Sequence, residues 1–387
     1  MKLFDVYPLF NIEPVKGEGC YVYDKAGNKY LDLYGGHAVI SIGHSHPHYV
    51  ETIANQLNNL AFYSNSIQNP LQQKLATLLG KLSNCDEYEL FLCNSGAEAI
   101  ENALKMASFY NGRTKIVAFD KAFHGRTSAA VNITDYEKAK APINKSFQVE
   151  FHTLNKLESV EQSLANNDVC AIVIEGIQGI GGIHVPRPAF LEALQDLCRK
   201  HNTLLILDEI QSGYGRSGLF FAFQYANIEP DLITMAKGMG NGFPIGGVLI
   251  HPKFKAQHGM LGTTFGGSHL ACAAGIAVLE VMEAENLVAH AGHLGCYWMQ
   301  QLYEIEGLTQ VRGSGLMIGV EFPYPVSDLR KELLFNEFIF TGSSSDLNVM
   351  RLLPPLNLQA AQVDYFTERL RKFLKAKPSQ ILSSVTA

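Results

Sequence analysis

The stretch from Thr203 to Gly238 holds the residues best suited to covalent chemistry. An apolar run, Leu204-Leu205-Ile206-Leu207, ends in Asp208, and a second, Leu232 to Met235, is followed by Ala236-Lys237-Gly238. Read as strands, these runs deliver a carboxylate and an amine to the same kind of position, a strand's carboxyl end. One cofactor can use both: pyridoxal 5′-phosphate needs an amine for a Schiff base and an anion to keep its pyridinium nitrogen protonated. Without that proton the ring is a poor electron sink. Taken singly, Asp208 reads as a turn cap and Lys237 as a solvated lysine; the neighbouring motifs shift the balance toward a shared site.

Two of those motifs follow other apolar runs. Phe91-Leu92-Cys93-Asn94-Ser95-Gly96-Ala97-Glu98-Ala99 passes from a strand into a helix through small residues, as a phosphate seat on backbone N–H groups at a helix N-terminus requires. By itself Ser95-Gly96 reads equally as an ordinary N-cap. Ala122-Phe123-His124-Gly125-Arg126-Thr127 comes after Ile116-Val117-Ala118-Phe119. There an aromatic plane can stack on a cofactor ring and an arginine can fork a carboxylate; the competing reading is a loop with a core Phe and a surface Arg.

The elements that must position these groups alternate from about residue 70 to 250. Helical stretches separate short apolar runs at Glu89 to Cys93, Lys115 to Phe119, Ala171 to Glu175, Leu204 to Asp208, Leu232 to Met235 and Gly247 to His251. Strands so apolar are covered on both faces, which predicts a mainly parallel sheet in an α/β fold, with ligands at the strands' carboxyl ends. The first 50 residues alternate in short turn-punctuated pieces and read as an N-terminal arm or part of a smaller domain. After about residue 275 a helical pattern leads through Val311 to Phe322 into an α+β tail ending in a helix over Asp364 to Lys375. The expected division is 1–50, 51–275 for the large cofactor-binding domain, and 276–387 for a small C-terminal domain.

Composition narrows the classes. A net charge of −6 without a basic stripe argues against nucleic acid, and the apolar runs are too short for a membrane span. Asp5 and Pro8 interrupt the N-terminal apolar residues, which makes a poor signal peptide, so a soluble cytoplasmic protein is expected. Seven scattered cysteines without a C-x-x-C pair read as reduced core residues. His44-Ser45-His46-Pro47-His48 invites a metal reading, but no Cys or carboxylate stands in register, and none is assigned. Gly176-Ile177-Gln178-Gly179-Ile180-Gly181-Gly182 mimics a dinucleotide loop without the G-x-G-x-x-G order between strand and helix. A nicotinamide cofactor is rejected.

In order and spacing these pieces resemble the class III aminotransferases of the fold type I pyridoxal-phosphate enzymes, from about residue 15 to the C-terminus. Phe123-His124-Gly125-Arg126-Thr127, Thr263-Thr264-Phe265-Gly266-Gly267 and Arg351-Leu352-Leu353-Pro354-Pro355-Leu356 bring the chain nearest to the acetylornithine and succinylornithine enzymes. The resemblance implies that Ser95, Gly96 and Ala97 seat the cofactor phosphate, that Phe123 stacks on its ring and that Asp208 pairs with the pyridine nitrogen. Gln211 would lie beside the phenolic oxygen, Lys237 would be the Schiff-base lysine, and Thr264 would reach the phosphate in the neighbouring subunit of a homodimer. Arg126, Thr263, Glu175 and Arg351 would serve the substrate, Arg351 by taking an α-carboxylate. The implied reaction moves an N-acylornithine's δ-amino group to 2-oxoglutarate in arginine biosynthesis; another ω-amino acid, ornithine or 4-aminobutyrate, is the alternative donor. The chain departs from the family's Glu-Pro-(Ile/Val)-Gln-Gly-Glu segment at Gly176 and Ile180. The second glutamate, absent here, can pair in relatives with the arginine matching Arg351 and switch it off.

Overall fold

The computed structural model describes residues 1–376. Seven strands form the central sheet, in the order Glu89–Cys93, Gly246–Ile250, Leu232–Met235, Leu204–Asp208, Val169–Glu175, Lys115–Phe119 and Val149–His152. Six point the same way, and Gly246–Ile250 is antiparallel to both neighbours.

The three strands Lys115–Phe119, Val169–Glu175 and Leu204–Asp208 are buried along their whole length. Period-two alternation divides them between two cores. Val117, Phe119, Ile172, Ile174, Leu205 and Leu207 enter one, while Ile116, Ala118, Ala171, Val173, Leu204 and Ile206 enter the other, beneath helix Gly96–Asn111. Each Val, Leu, Ile or Phe so buried is worth about 1.5–3 kcal/mol, so truncating Leu207 would open a costly cavity. Register places Glu175 opposite Asp208, and Asp208 opposite Thr234, so the polar residues that end these strands meet on one edge of the sheet.

Val149–His152 was not anticipated. Its sequence, Val149-Glu150-Phe151-His152, mixes charge with apolar residues because it is an edge strand, half-buried and paired on one side with Lys115–Phe119. The N-terminal meander Pro14–Glu18, Tyr21–Asp24 and Lys29–Asp32 does not stand alone. Ile339–Phe340 pairs parallel with Lys29–Asp32 and builds it into the C-terminal part of the molecule. A third sheet, Gln310–Ser314, Met317–Glu321 and Val349–Leu352, is antiparallel and carries Arg351 opposite Gly319. The last helix, Ala360–Ala376, begins a turn earlier than its apolar pattern suggested. No helix among the described residues is long and apolar enough to cross a membrane.

Candidate active site

Asp208 ends its strand with a side chain 4% exposed. Its Oδ1 accepts the Ile210 N–H at 3.0 Å, and its Oδ2 lies 2.7 Å from Nδ1 of His124. His124 comes from the loop after Lys115–Phe119, where its own N–H donates to the Thr134 hydroxyl at 2.9 Å. No role was read for this histidine from the sequence. The signal was available: a carboxylate this deeply buried requires a donor, and the loop at the carboxyl end of Lys115–Phe119 offers an imidazole.

Lys237 follows strand Leu232–Met235 at a left-handed φ of 46°. Its Nζ has no hydrogen-bond partner among the described residues. Burial depresses its ammonium pKa; Asp208 and Glu175 oppose the shift, and Arg351 adds to it. The result is a lysine held closer to its free-base form, beside the acids that could use it. Glu175 spends both oxygens on backbone, accepting the Phe123 N–H at 3.0 Å and the Gly179 N–H at 2.9 Å. Burial raises its pKa to about 7. This geometry anchors the loop that presents Phe123.

The glycine-rich run serves close packing. A Cβ on Gly176 would lie 2.3 Å from Glu209 Oε1, and one on Gly179 would lie 1.8 Å from Gln211 Oε1. Each glycine admits a buried polar side chain, which is why the run imitates a nucleotide loop without being one. The histidines 44, 46 and 48 pair with three separate acids, Asp32, Glu285 and Glu280, at 2.8, 2.8 and 2.7 Å.

At the end of strand Glu89–Cys93, Ser95 caps helix Gly96–Asn111 and accepts the Glu98 N–H at 3.2 Å. The Gly96 and Ala97 N–H groups, first in the helix, find no acceptor among the described residues. Both sit in tight packing: a Cβ on Gly96 would lie 2.8 Å from Ile210, and one on Gly125 would lie 3.0 Å from Ala97. Thr263 is fastened beside the same turn, its Oγ1 accepting from Asn94 Nδ2 at 3.2 Å and from the Gly266 N–H at 3.1 Å. Thr264 next to it is exposed, as is Phe265, whose ring lies 5.3 Å from that of Phe62.

Two arginines complete the site. Arg126 is exposed, its guanidinium 5.6 Å from the Phe123 ring centre and 5.5 Å from that of Tyr136. Arg351 is 1% exposed. Its Nη1 donates to Gln211 Oε1 at 3.2 Å and its Nε to the Ser343 carbonyl. Burial lowers its pKa to about 10. Neither arginine has a carboxylate partner among the described residues. Ile180 is half-buried, its carbonyl accepting the Ser345 N–H at 2.8 Å.

These groups fit pyridoxal phosphate. Free N–H groups at a helix start suit a dianion, a buried acid with its own donor suits a pyridinium, and an unpartnered lysine of lowered pKa suits an aldehyde. The comparisons agree. Residues 5–374 match the aminotransferase class-III family. The chain is 41% identical to the acetylornithine aminotransferase of Archaeoglobus fulgidus, covering 91% of this chain and 93% of that protein. It is 37% identical to the acetylornithine aminotransferase of Bacillus subtilis, over 96% of this chain and 97% of that protein. Its fold is similar to the ornithine aminotransferase of Toxoplasma gondii, a structure with partial occupancy of PLP at its active site. There the TM-score is 0.87 and the identity 28%, over 96% of this chain and 92% of that one. The chain therefore belongs to the class III aminotransferases, a family that works with pyridoxal 5′-phosphate.

Proposed function

We propose that the enzyme moves the δ-amino group of an N-acylornithine to 2-oxoglutarate, giving glutamate and the N-acylglutamate semialdehyde, in arginine biosynthesis. The observation that carries this reading is the pair Arg126 and Arg351, two site cations with no ion-pair partner among the described residues. Glutamate and 2-oxoglutarate bring one carboxylate for each. N-acetylornithine brings one, for Arg126, and the names of the relatives at 37–41% identity support an acylornithine as donor. The likeness to ornithine aminotransferase keeps free ornithine as the second reading. Steady-state rates with N-acetylornithine, N-succinylornithine and free ornithine against 2-oxoglutarate test it; turnover confined to free ornithine would overturn it.

When bound, pyridoxal phosphate supplies the electron sink that lets a proton leave the amine-bearing carbon. The chain's own groups do the rest. Gly96 and Ala97 would bind the phosphate through backbone N–H groups at the positive end of their helix, with Ser95 holding the turn. Asp208, fixed by His124, would keep an anion at the pyridine nitrogen. Phe123, tied to Glu175, would cover one ring face, and Gln211 would stand near the phenolic oxygen. Lys237 would hold the aldehyde at rest, then use Nζ to take the substrate carbon's proton and return it at the other end of the system, which its lowered pKa favours. Thr263 and Arg126 would position the donor.

The same reading makes the enzyme a cytoplasmic homodimer in which Thr264 reaches the phosphate in its partner's site, and divides the chain near residues 50 and 275. Exposed Phe62, Tyr63, Ile67 and Phe265, beside Thr264, are the kind of apolar surface a second copy would cover.

A further inference from the structure

Arg351 heads a hydrogen-bonded relay of neutral groups that passes through one main-chain carbonyl. Its Nη1 donates to Gln211 Oε1 at 3.2 Å; Gln211 Nε2 donates to the His37 carbonyl at 3.2 Å; the His37 ring meets the Tyr34 hydroxyl. Packing brings the two ends of this relay near each other. A Cβ on Gly342 would lie 2.8 Å from Tyr34 Cδ2 and 3.2 Å from Arg351 Cβ, so the tyrosine ring and the arginine stem flank one glycine. His37 adopts φ 69° between Gly36 at 55° and Ala38 at 62°, a left-handed run that shapes the backbone carrying its carbonyl. Burial first, then Arg351 and Lys237, hold the His37 pKa below its usual range, which keeps the ring neutral.

Among the charged groups around Arg351, Arg330 adds positive charge and Glu175 opposes it. Arg330 faces the same tyrosine, its Nη2 donating to the Thr341 carbonyl at 2.8 Å and its Nε buried without a partner. A buried guanidinium held only by dipoles keeps its full charge for a ligand, whereas one paired with an acid must first be released from it.

We propose that Tyr34 and His37 are positioning residues that, through Gln211, aim Arg351 at a substrate carboxylate and leave its charge uncommitted in both half-reactions. This rests on the reading of Arg351 as a carboxylate site. It predicts an enzyme with lasting affinity for carboxylates: unreactive dicarboxylates such as glutarate compete with the amine donor as well as with the oxo acid.

The test uses holoenzyme with Tyr34→Phe, which keeps the ring and removes the hydroxyl, and Gly179→Ala, whose methyl displaces Gln211 from Arg351. Both should weaken glutarate binding by calorimetry, and raise the KM for glutamate and 2-oxoglutarate, about fivefold, the worth of one neutral hydrogen bond. The donor KM and the bound cofactor's absorption band should hardly move in Tyr34→Phe. In Tyr34→Phe a purely structural role would change donor and dicarboxylate together or lower the melting temperature, and either result there, or unchanged glutarate affinity in both variants, would overturn the proposal. Glutarate binding is read without turnover, so a wild-type enzyme that ignores acylornithine would sink the functional reading and leave this measurement decisive for the relay.

Discussion

His124 Nδ1 and Asp208 Oδ2 lie 2.7 Å apart in a setting that leaves neither side chain appreciable contact with water. With the Ile210 N–H on the other oxygen, the carboxylate has a hydrogen-bond partner on each side and is fixed where a pyridinium would need it. Asp208→Asn should therefore retain cofactor and lose about a hundredfold or more in turnover, because a neutral amide cannot hold the ring proton. His124→Phe should lose less and do so through the same group. Single-turnover rates on both variants check this: near-normal turnover in Asp208→Asn would mean that another carboxylate does the work.

Lys237 is the lysine at the carboxyl end of a central strand that the neighbouring acids can influence. Lys237→Ala should bind pyridoxal phosphate only by its phosphate and ring, without the absorption band of the lysine-bound form. Spectra of the purified variant give the answer, and a normal band would remove Lys237 from its role.

Much of this site could be read from the sequence because it hangs on buried strands. Leu204 to Asp208 and Leu232 to Met235 are apolar enough to mark their own ends, so Asp208 and Lys237 could be placed before any coordinates. What escaped was set by contacts between segments distant in the chain. The link from Arg351 through Gln211 to His37 spans three such segments, and nothing local in any of them signals it. Val149–His152 escaped because an edge strand needs no apolar run. The spacing of the glycines at 176 and 179 was enough to reject a dinucleotide loop, but nothing local signals the Glu209 and Gln211 side chains they accommodate.

Glu209 makes the fold sensitive to pH. Its carboxyl group, 1% exposed, accepts the Ser212 hydroxyl at 2.6 Å and the Ala222 and Phe223 N–H groups at 3.1 and 2.8 Å. Burial nevertheless raises its pKa to about 7. Between the ordinary carboxylate range and that value the folded chain binds the proton more tightly than the unfolded chain. The contribution is therefore present at low pH and falls as pH rises through this window, by up to about 1.4 kcal/mol per unit. Glu175 acts in the same direction. Urea unfolding of the cofactor-free protein from pH 5 to 8 should show stability declining less steeply in Glu209→Gln than in wild type. Equal slopes would mean that the carboxyl group titrates normally.

Position 180 offers the sharpest test of how Arg351 is governed. Ile180 and Arg351 both bond to one segment: the Ile180 carbonyl accepts the Ser345 N–H at 2.8 Å, and Arg351 Nε donates to the Ser343 carbonyl. Residue 180 therefore borders the segment that holds the guanidinium, and in this chain it is apolar. Ile180→Glu would place a carboxylate there to compete with substrate carboxylates for Arg351. A charge-assisted pair of this kind is worth about 1–3 kcal/mol, so the glutamate half-reaction should lose roughly 5- to 100-fold in kcat/KM. The donor half-reaction, which needs no carboxylate at Arg351, should change little, and donors carrying an extra acid group should lose any advantage they hold in the wild type. Single-turnover spectra of each half-reaction separate these effects. An unchanged glutamate rate would show that Arg351 answers to its neutral neighbours alone and that residue 180 has no hold on it.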